Sequence, residues 1–410
     1  MTPTRPAPPR VVVLGAGIAG SRLAARLGRA ATLIGEEPHP PYNRVLLTDV
    51  LAARYAPEVI ELPPPPGAYH RTRAVRIDRA DRVVQCEDGS AVPYGTLVLA
   101  TGANPVLPPL RGLFAPGATE LPRGVHAFRT MDDCLALSRA VRRPGVRAVV
   151  IGGGLLGVCA ARALADRGAQ VVLAQQGDRL MERQLDPAAS ELVRRHLTDL
   201  GVEVHTECRV RGVRRVDGAV VSVELADGYV LGTDLTVLAC GVRPRTGLAR
   251  AAGLDVRRGI VVDDDLRTSD PHIRAIGDCA EHAGVTACLA APALDQADAL
   301  AAALRSPGGA RPYTGTRSLT RLTLPHAERP LDLAAFGDPE ARPDDDVLRL
   351  ADATRGTYRK VVVRGDRLVG GVLLGELAAV GALARAWESD EPLPADGVPP
   401  LHLLTHDGGH

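Results

Sequence analysis

Residues 10–20, RVVVLGAGIAG, and residues 147–157, RAVVIGGGLLG, decide how this chain is read. Each is a short apolar run that opens onto G-x-G-x-x-G: Gly15, Gly17 and Gly20, then Gly152, Gly154 and Gly157. In such a segment a buried parallel strand ends, the chain turns tightly, and a helix begins with its N–H groups aimed at a pyrophosphate. The first glycine allows the turn, the second lets phosphate approach the backbone, and the third lets helix and strand pack closely. Helix-like apolar spacing follows both copies, at Leu23 and Leu27 and at Ala160 and Leu164. Each copy also has a matching second half: DGSAVPYGTLVLATGANP ends at Pro105 and DGYVLGTDLTVLACGVRP ends at Pro244. One motif alone is a weak signal. Two whole units predict an α/β fold with two Rossmann-like dinucleotide-binding domains, and two dinucleotides held side by side imply electron transfer between them.

Working outward, a chain of 410 residues has material for two or three domains with sizeable cores. A net charge of +1 gives no reason to expect nucleic acid or an anionic membrane as partner. Basic charge is almost all arginine, Lys360 being the only lysine. The seven cysteines are scattered, with no C-x-x-C, which argues for a reduced, cytoplasmic protein and against an iron–sulfur or zinc centre; no metal site is expected. The N-terminal MTPTRPAPPR lacks an apolar h-region and no apolar run is long enough to span a bilayer, so no export and no membrane are expected.

The second strand of the first unit, ATLIGEE, ends in Glu36, 21 residues after Gly15. A carboxylate there accepts hydrogen bonds from adenosine ribose hydroxyls. ELPPPPG, residues 61–67, reads as a stiff extended loop. Further on, IRAIGD is a strand leading to Asp278, and APALDQADALAAALR is a helix with Pro292 in its first turn, where the missing N–H costs nothing. Beyond residue 311 the pattern changes to alternating strands with a hairpin turn at Gly365-Asp366, then a helix over ELAAVGALARAWE and a Pro-rich tail. The expected domains are 1–118 with 241–310, 119–240, and a small α+β domain over 311–410.

The order GAGIAG, EEPHPPYNRVLLTDVL, ATGANP, GGGLLG, GDRLMERQLD, GVRP, TSDPHIRAIGDCAEH resembles the two-dinucleotide flavoproteins of the pyridine nucleotide-disulfide oxidoreductase superfamily. Within them it is most similar to the FAD/NAD(P)H part of assimilatory nitrite reductase large subunits and to the electron-transfer subunits of assimilatory nitrate reductases. YRKVVVRGDRLVGGVLLGE continues the likeness, so it covers nearly the whole chain. The resemblance implies that FAD is gripped by Gly15, Gly17, Gly20 and Glu36. Asn43 and Arg44 would lie near its pyrophosphate and flavin, Thr101 and Gly102 along its middle, and Asp278 at a ribitol hydroxyl. The helix starting near Pro292 would direct its N-terminal dipole at the flavin pyrimidine, where reduced flavin is anionic.

The resemblance also assigns NADH or NADPH to the second unit, at Gly152, Gly154 and Gly157. Two departures stand there. The family's glutamate two residues after the third glycine is Cys159, and the second strand ends in Gln175 rather than an acid. Glutamine neither repels a 2′-phosphate nor attracts it, so the nucleotide is left open, with Arg179 and Arg183 as candidate phosphate partners. No cysteine precedes Cys86, so a redox thiol beside the flavin, as disulfide-reducing members need, is missing.

These features predict an FAD-dependent NAD(P)H oxidoreductase with no protein acid or base as catalytic residue. Its acceptor would be an electron-accepting protein: a nitrate or nitrite reductase catalytic subunit, or a small iron–sulfur carrier of the ferredoxin or rubredoxin type. A homodimer partner is a further expectation. The alternative is an FAD-holding structural or regulatory subunit with a degenerate nicotinamide site. Smaller signals read plainly: Cys279 as packing, His282 as a surface histidine, 337–346 (GDPEARPDDD) as a solvated loop, and His402, His406 and His410 as a disordered end.

Overall fold

The computed structural model describes residues 11–306, 308–309, 311–326, 330–352, 354–393 and 404; the tail histidines lie outside them. The helices are α1 (Ile18–Leu27), α2 (Leu47–Leu51), α3 (Met131–Ala140), α4 (Leu155–Asp166), α5 (Pro187–Asp199), α6 (Gly247–Ala251), α7 (Ala290–Arg305) and α8 (Val380–Ser389). None among the described residues is long and apolar enough to cross a membrane.

Two five-stranded parallel sheets repeat one plan. The first runs Ile273–Ala275, Thr96–Leu99, Val11–Leu14, Ala31–Gly35, Ala68–Arg71. The second runs Val125–Ala127, Leu235–Leu238, Arg147–Ile151, Gln170–Ala174, Glu203–His205. The central strands VVVL and AVVI are buried on both faces, as a parallel sheet flanked by helices requires. Each sheet carries a three-stranded antiparallel meander, Ala74–Asp78 to Ala91–Pro93 and Val210–Val216 to Val230–Gly232. The repeat breaks at one strand. The outer strand of the first sheet, Ile273–Ala275, arrives from far down the chain, after the whole second unit, and so brings Asp278 beside the first glycine loop. Ala103–Pro105 and Val242–Pro244 pair antiparallel where the chain leaves and re-enters.

Thr320–Leu324, Leu331–Gly337, Asp346–Asp352, Thr357–Arg364 and Arg367–Leu374 form a five-stranded antiparallel sheet. Its period-2 pattern divides the faces. Leu331, Leu333 and Tyr358 join the core that underlies the second unit, while Ala334, Phe336 and Val361 pack with Trp387 of α8.

Candidate dinucleotide-binding site

The two glycine loops are built alike. Gly15 N donates to Ile34 O and Gly152 N to Ala174 O, each at 2.8 Å, so each loop leaves its strand at the same register. Gly15 (φ +112°) and Gly152 (φ +108°) occupy backbone that disfavours side chains. A Cβ on Gly20 would lie 1.9 Å from Gly15 O, and one on Gly157 1.8 Å from Gly152 O, so helix and strand could not close. The middle glycines differ. Gly17 and Gly154 have φ of −74° and −75°. A Cβ on Gly17 would meet nothing nearer than Arg44 Nε at 3.9 Å, and one on Gly154 nothing within 4 Å. The fold itself sets no need for glycine there; a phosphate lying against the backbone does. Both residues cap helices without any side-chain cap, leaving the first-turn N–H groups of α1 and α4 turned outward. The donor set therefore fits a pyrophosphate at each loop.

One cleft of about 1730 Å³ is lined by both loops, and by Glu36, Arg44, Thr101, Gly102 and Asp278. Arg44 lies beside Gly17. Its guanidinium pairs with Glu37 and donates to Tyr42 Oη at 3.0 Å and to Arg129 O at 3.1 Å. Burial works against the Arg44 charge, but the Tyr42 oxygen and Glu37 carboxylate more than offset it. Burial also pushes the Tyr42 phenol far up, only partly opposed by Arg44, so it stays protonated and donates to Glu37 at 2.6 Å. Asn43 spends its side chain on Val45 N (3.1 Å) and shapes the turn rather than lining the cleft.

Asp278 sits in the turn Gly277–Cys279, held by Gln296 of α7, whose Oε1 accepts from Gly277 N at 2.7 Å. Its carboxylate pairs with Arg129, a residue that sequence reasoning missed. Arg129 immediately precedes the α3 capping box, where Thr130 and Asp133 satisfy each other's backbone N–H groups. That box was legible as T-x-x-D; the arginine in front of it was not. Glu36 pairs with Arg245, whose Nε also donates to Asn104; Thr101 Oγ1 donates to Arg245 O at 2.9 Å. Pro292 is buried in the first turn of α7, which begins at Ala290; Leu289, Ala290 and Ala293 line the cleft.

On the second side, Gln175 follows the strand and accepts from Gly153 N through Oε1 at 2.7 Å. Its oxygen is thus occupied inside the loop. Cys159 lines the cleft, but burial pushes its thiol up to about 12. Cys279, fully buried, is raised for the same reason and donates to Leu99 O and Ile276 O at 3.3 Å. Both are inert thiols near neutral pH.

Two further expectations need correction. Arg179 is not free for a phosphate: it pairs with Glu340 and with Asp178 (3.2 Å), and it does not line the cleft. His282 is no surface residue; it is 8% exposed, lies edge-on to Tyr313, and has Nε2 2.9 Å from Asp264. The acidic segment 337–346 is a largely exposed loop, as expected, with Asp345 alone gripped by Arg364 at 2.8 and 2.9 Å.

Comparison with known proteins follows the same outline. The family description pyridine nucleotide-disulphide oxidoreductase matches residues 9–297, and rubredoxin NAD+ reductase C-terminal domain matches residues 330–391. Nitrite reductase (NAD(P)H) of Bacillus subtilis (strain 168) is 35% identical over 393 residues, covering 90% of this chain and 46% of its own length. The assimilatory nitrate reductase electron transfer subunit of the same organism is 32% identical over 383 residues, covering 90% and 48%. The chain thus spans about half the length of these curated relatives. Among solved structures, the covalent putidaredoxin reductase–putidaredoxin complex matches with a TM-score of 0.84 at 26% identity, over 97% of this chain and 99% of that chain. The match runs through both glycine loops and on past Asp278, and the chain belongs to the pyridine nucleotide-disulphide oxidoreductase family.

Proposed function

We propose that this chain is an FAD-dependent NAD(P)H oxidoreductase that passes electrons to a protein acceptor. The observation that carries this reading is the single cleft shared by two dinucleotide loops. FAD, when bound, supplies the conversion between two-electron and one-electron transfer. Gly15, Gly17 and Gly20 would hold its pyrophosphate with Arg44 alongside, Glu36 would take ribose hydroxyls, and the Arg129–Asp278 pair would hold the ribitol side. The uncapped N-terminus of α7 favours negative charge in front of it. Gly152, Gly154 and Gly157 would hold the nicotinamide dinucleotide, with Cys159 and Gln175 beside it. Hydride passage between stacked rings asks for alignment rather than a protein acid or base, so no catalytic residue is assigned. The nucleotide we assign is NADH, because Glu182 lines the cleft while Arg179 is tied away from it.

The domain boundaries that suit this reading are 1–118 with 241–310, 119–240, and 311–410. The relatives' names support a protein acceptor: the catalytic part of an assimilatory nitrate or nitrite reductase, or a small iron–sulfur carrier. Seven free thiols suit the cytoplasm. Self-association would use the outer strand Asp346–Asp352 of the C-terminal sheet, which is largely exposed; sedimentation decides it.

An anaerobic titration of the FAD-loaded protein tests the function. NADH is expected to bleach the visible flavin band; failure of both NADH and NADPH at millimolar levels would sink it. One observation favours a second reading, a flavin-holding subunit with a decayed nicotinamide site: the Gln175 oxygen is already occupied by Gly153 N–H. Recovery of reduction in a Cys159→Glu, Gln175→Glu variant of an otherwise unreactive protein would support it.

A further inference from the structure

Arg162 is the most deeply buried charged side chain of α4, 2% exposed. Its guanidinium leaves its own unit. Nη1 donates to Asp166 Oδ2 at 2.7 Å, one turn along α4, and Nη2 lies 3.7 Å from Asp49 Oδ1 in α2. Asp166 in turn lies 3.4 Å from Arg54 Nη2, just beyond α2. Arg167, at the end of α4, donates to Leu51 O at 3.2 Å. Charges of alternating sign therefore cross between the second unit and the first.

The position of this network matters more than its strength. Gly154 caps α4, and Arg162 lies eight positions further along, about 12 Å at 1.5 Å per residue. α2 follows directly on the turn Arg44–Leu46, whose Arg44 lies against Gly17. Each dinucleotide loop is thus joined by a short rigid stretch to the same ion cluster. Apolar packing between α2 and α4, with Leu47, Val50 and Leu51 against Val158 and Ala161, tolerates small rotations. A buried charge with partners on both sides does not, because sliding would strand it.

Resting on the oxidoreductase reading above, we propose that Arg162 and Asp49 are a positioning pair. They fix the nicotinamide-side unit over the flavin-side unit in the orientation that lets hydride pass. Both residues line the shared cleft, at its α2–α4 wall rather than in either glycine loop, so the assigned role is positioning. Its loss should leave nucleotide affinity in place and slow transfer, since a misplacement near 1 Å can cost about 10²-fold.

The test uses Arg162→Met, Arg162→Lys and Asp49→Asn in the FAD-loaded chain, with anaerobic stopped-flow reduction over a range of NADH concentrations, which gives the saturating rate and the affinity together. Expected for Arg162→Met is a fall of about 10²-fold in the reduction rate at saturating NADH with affinity retained. Lysine should restore most of that rate, and Asp49→Asn should reproduce part of the fall. An unchanged saturating rate in Asp49→Asn, or a loss of affinity alone, overturns the proposal. So does a lysine variant no better than methionine. If Arg162→Met fails to hold FAD, Asp49→Asn decides, because it keeps the Arg162–Asp166 bond. If the wild-type chain resists both nucleotides, the functional reading has failed on its own account. Small-angle scattering then decides the pair: an Asp49→Asn profile broader than wild type supports it, and a superimposable one overturns it.

Discussion

Lys360 Nζ lies 3.0 Å from Asp186 Oδ2, with both side chains 4% exposed. Lys360 belongs to the C-terminal sheet and Asp186 caps α5 of the second unit, its Oδ1 accepting from Ala189 N at 3.0 Å. Tyr358 donates to the same carboxylate at 2.6 Å, and Lys360 also donates to Pro339 O at 2.6 Å. In a chain otherwise built on arginine, the one lysine stands buried, its compact ammonium meeting the Asp186 carboxylate and Pro339 O together. Lys360→Met should cost roughly 3–5 kcal/mol in urea unfolding, because it leaves a buried carboxylate short of its countercharge. Lys360→Arg should not restore wild-type stability. A midpoint unchanged in the methionine variant would show that the C-terminal sheet docks by apolar contact alone.

The same carboxylate predicts a pH dependence. Burial would raise the Asp186 carboxyl, but bonds from Tyr358, Ala189 N–H and Lys360 outweigh it and hold the group below the usual range. A depressed folded-state pKa gives stability that is present above the unfolded value, near 4, and lost as pH falls through the folded one. Wild type should therefore lose stability below about pH 4 more steeply than Asp186→Asn. Parallel slopes for the two proteins between neutral and acid pH would remove Asp186 from the account.

The glycines give a sharper contrast. A Cβ on Gly17 would meet only Arg44 Nε at 3.9 Å and one on Gly154 nothing within 4 Å, so Gly17→Val and Gly154→Val should cost no more than the roughly 1 kcal/mol of an N-cap change. Gly17→Val should nonetheless abolish FAD retention, while Gly154→Val should keep FAD and lose reduction by NADH. Gly20→Ala should fail differently, by unfolding, because its Cβ would sit 1.9 Å from Gly15 O. Equal melting for Gly17→Val and Gly20→Ala would show that packing rather than phosphate approach selects both glycines.

That contrast also marks what could be read without coordinates. Local rules with a fixed spacing carried through: two strand–turn–helix loops, the meander after each, the Gly277-Asp278 turn and the Gly365-Asp366 hairpin. The ion pairs that close the site did not. Arg129–Asp278, Arg245–Glu36 and Arg162–Asp49 each join residues more than 100 positions apart, where no periodicity connects them. With 49 lysines and arginines in the chain, all but Lys360 arginine, an arginine at any one place carries little information. Arg162 in particular stands in an apolar helical run with nothing nearby in sequence to mark a partner across units, yet the fold buries it. The Gln175 oxygen shows the converse: the residue that stands in place of the strand-end acid is partly spent on its own loop.

Arg129 can be tested directly. It reaches Asp278 from the segment before α3, and its carbonyl accepts from Arg44, so one residue ties together the two ends of the cleft on the side of the first glycine loop. Arg129→Ala should weaken FAD binding by roughly 1.5–3 kcal/mol, about 10- to 100-fold in Kd, since it removes a charge-assisted hydrogen bond. Calorimetry of FAD into deflavinated protein measures this. An affinity equal to wild type would mean the pair is purely structural.

On the proposed assignment of NADH, nucleotide choice would rest on a turn rather than on a strand end. A Cβ placed on Gly177 would lie 2.2 Å from Glu182 Oε2 and 2.8 Å from Gln175 Nε2, so a carboxylate and an amide converge over that glycine. Gln175 closes the strand without charge, and Glu182, seven residues on, supplies the acid that the strand lacks. A 2′-phosphate entering there meets like charge at a cost of roughly 1–4 kcal/mol. NADH should therefore exceed NADPH by about tenfold or more in kcat/KM. Glu182→Arg should narrow or reverse that ratio by raising the KM for NADH and lowering that for NADPH. Arg183 lines the same cleft, so Arg183→Ala is the control, and it should leave the preference for NADH standing. If Arg183→Ala shifts the ratio and Glu182→Arg does not, the arginine rather than the carboxylate selects the nucleotide.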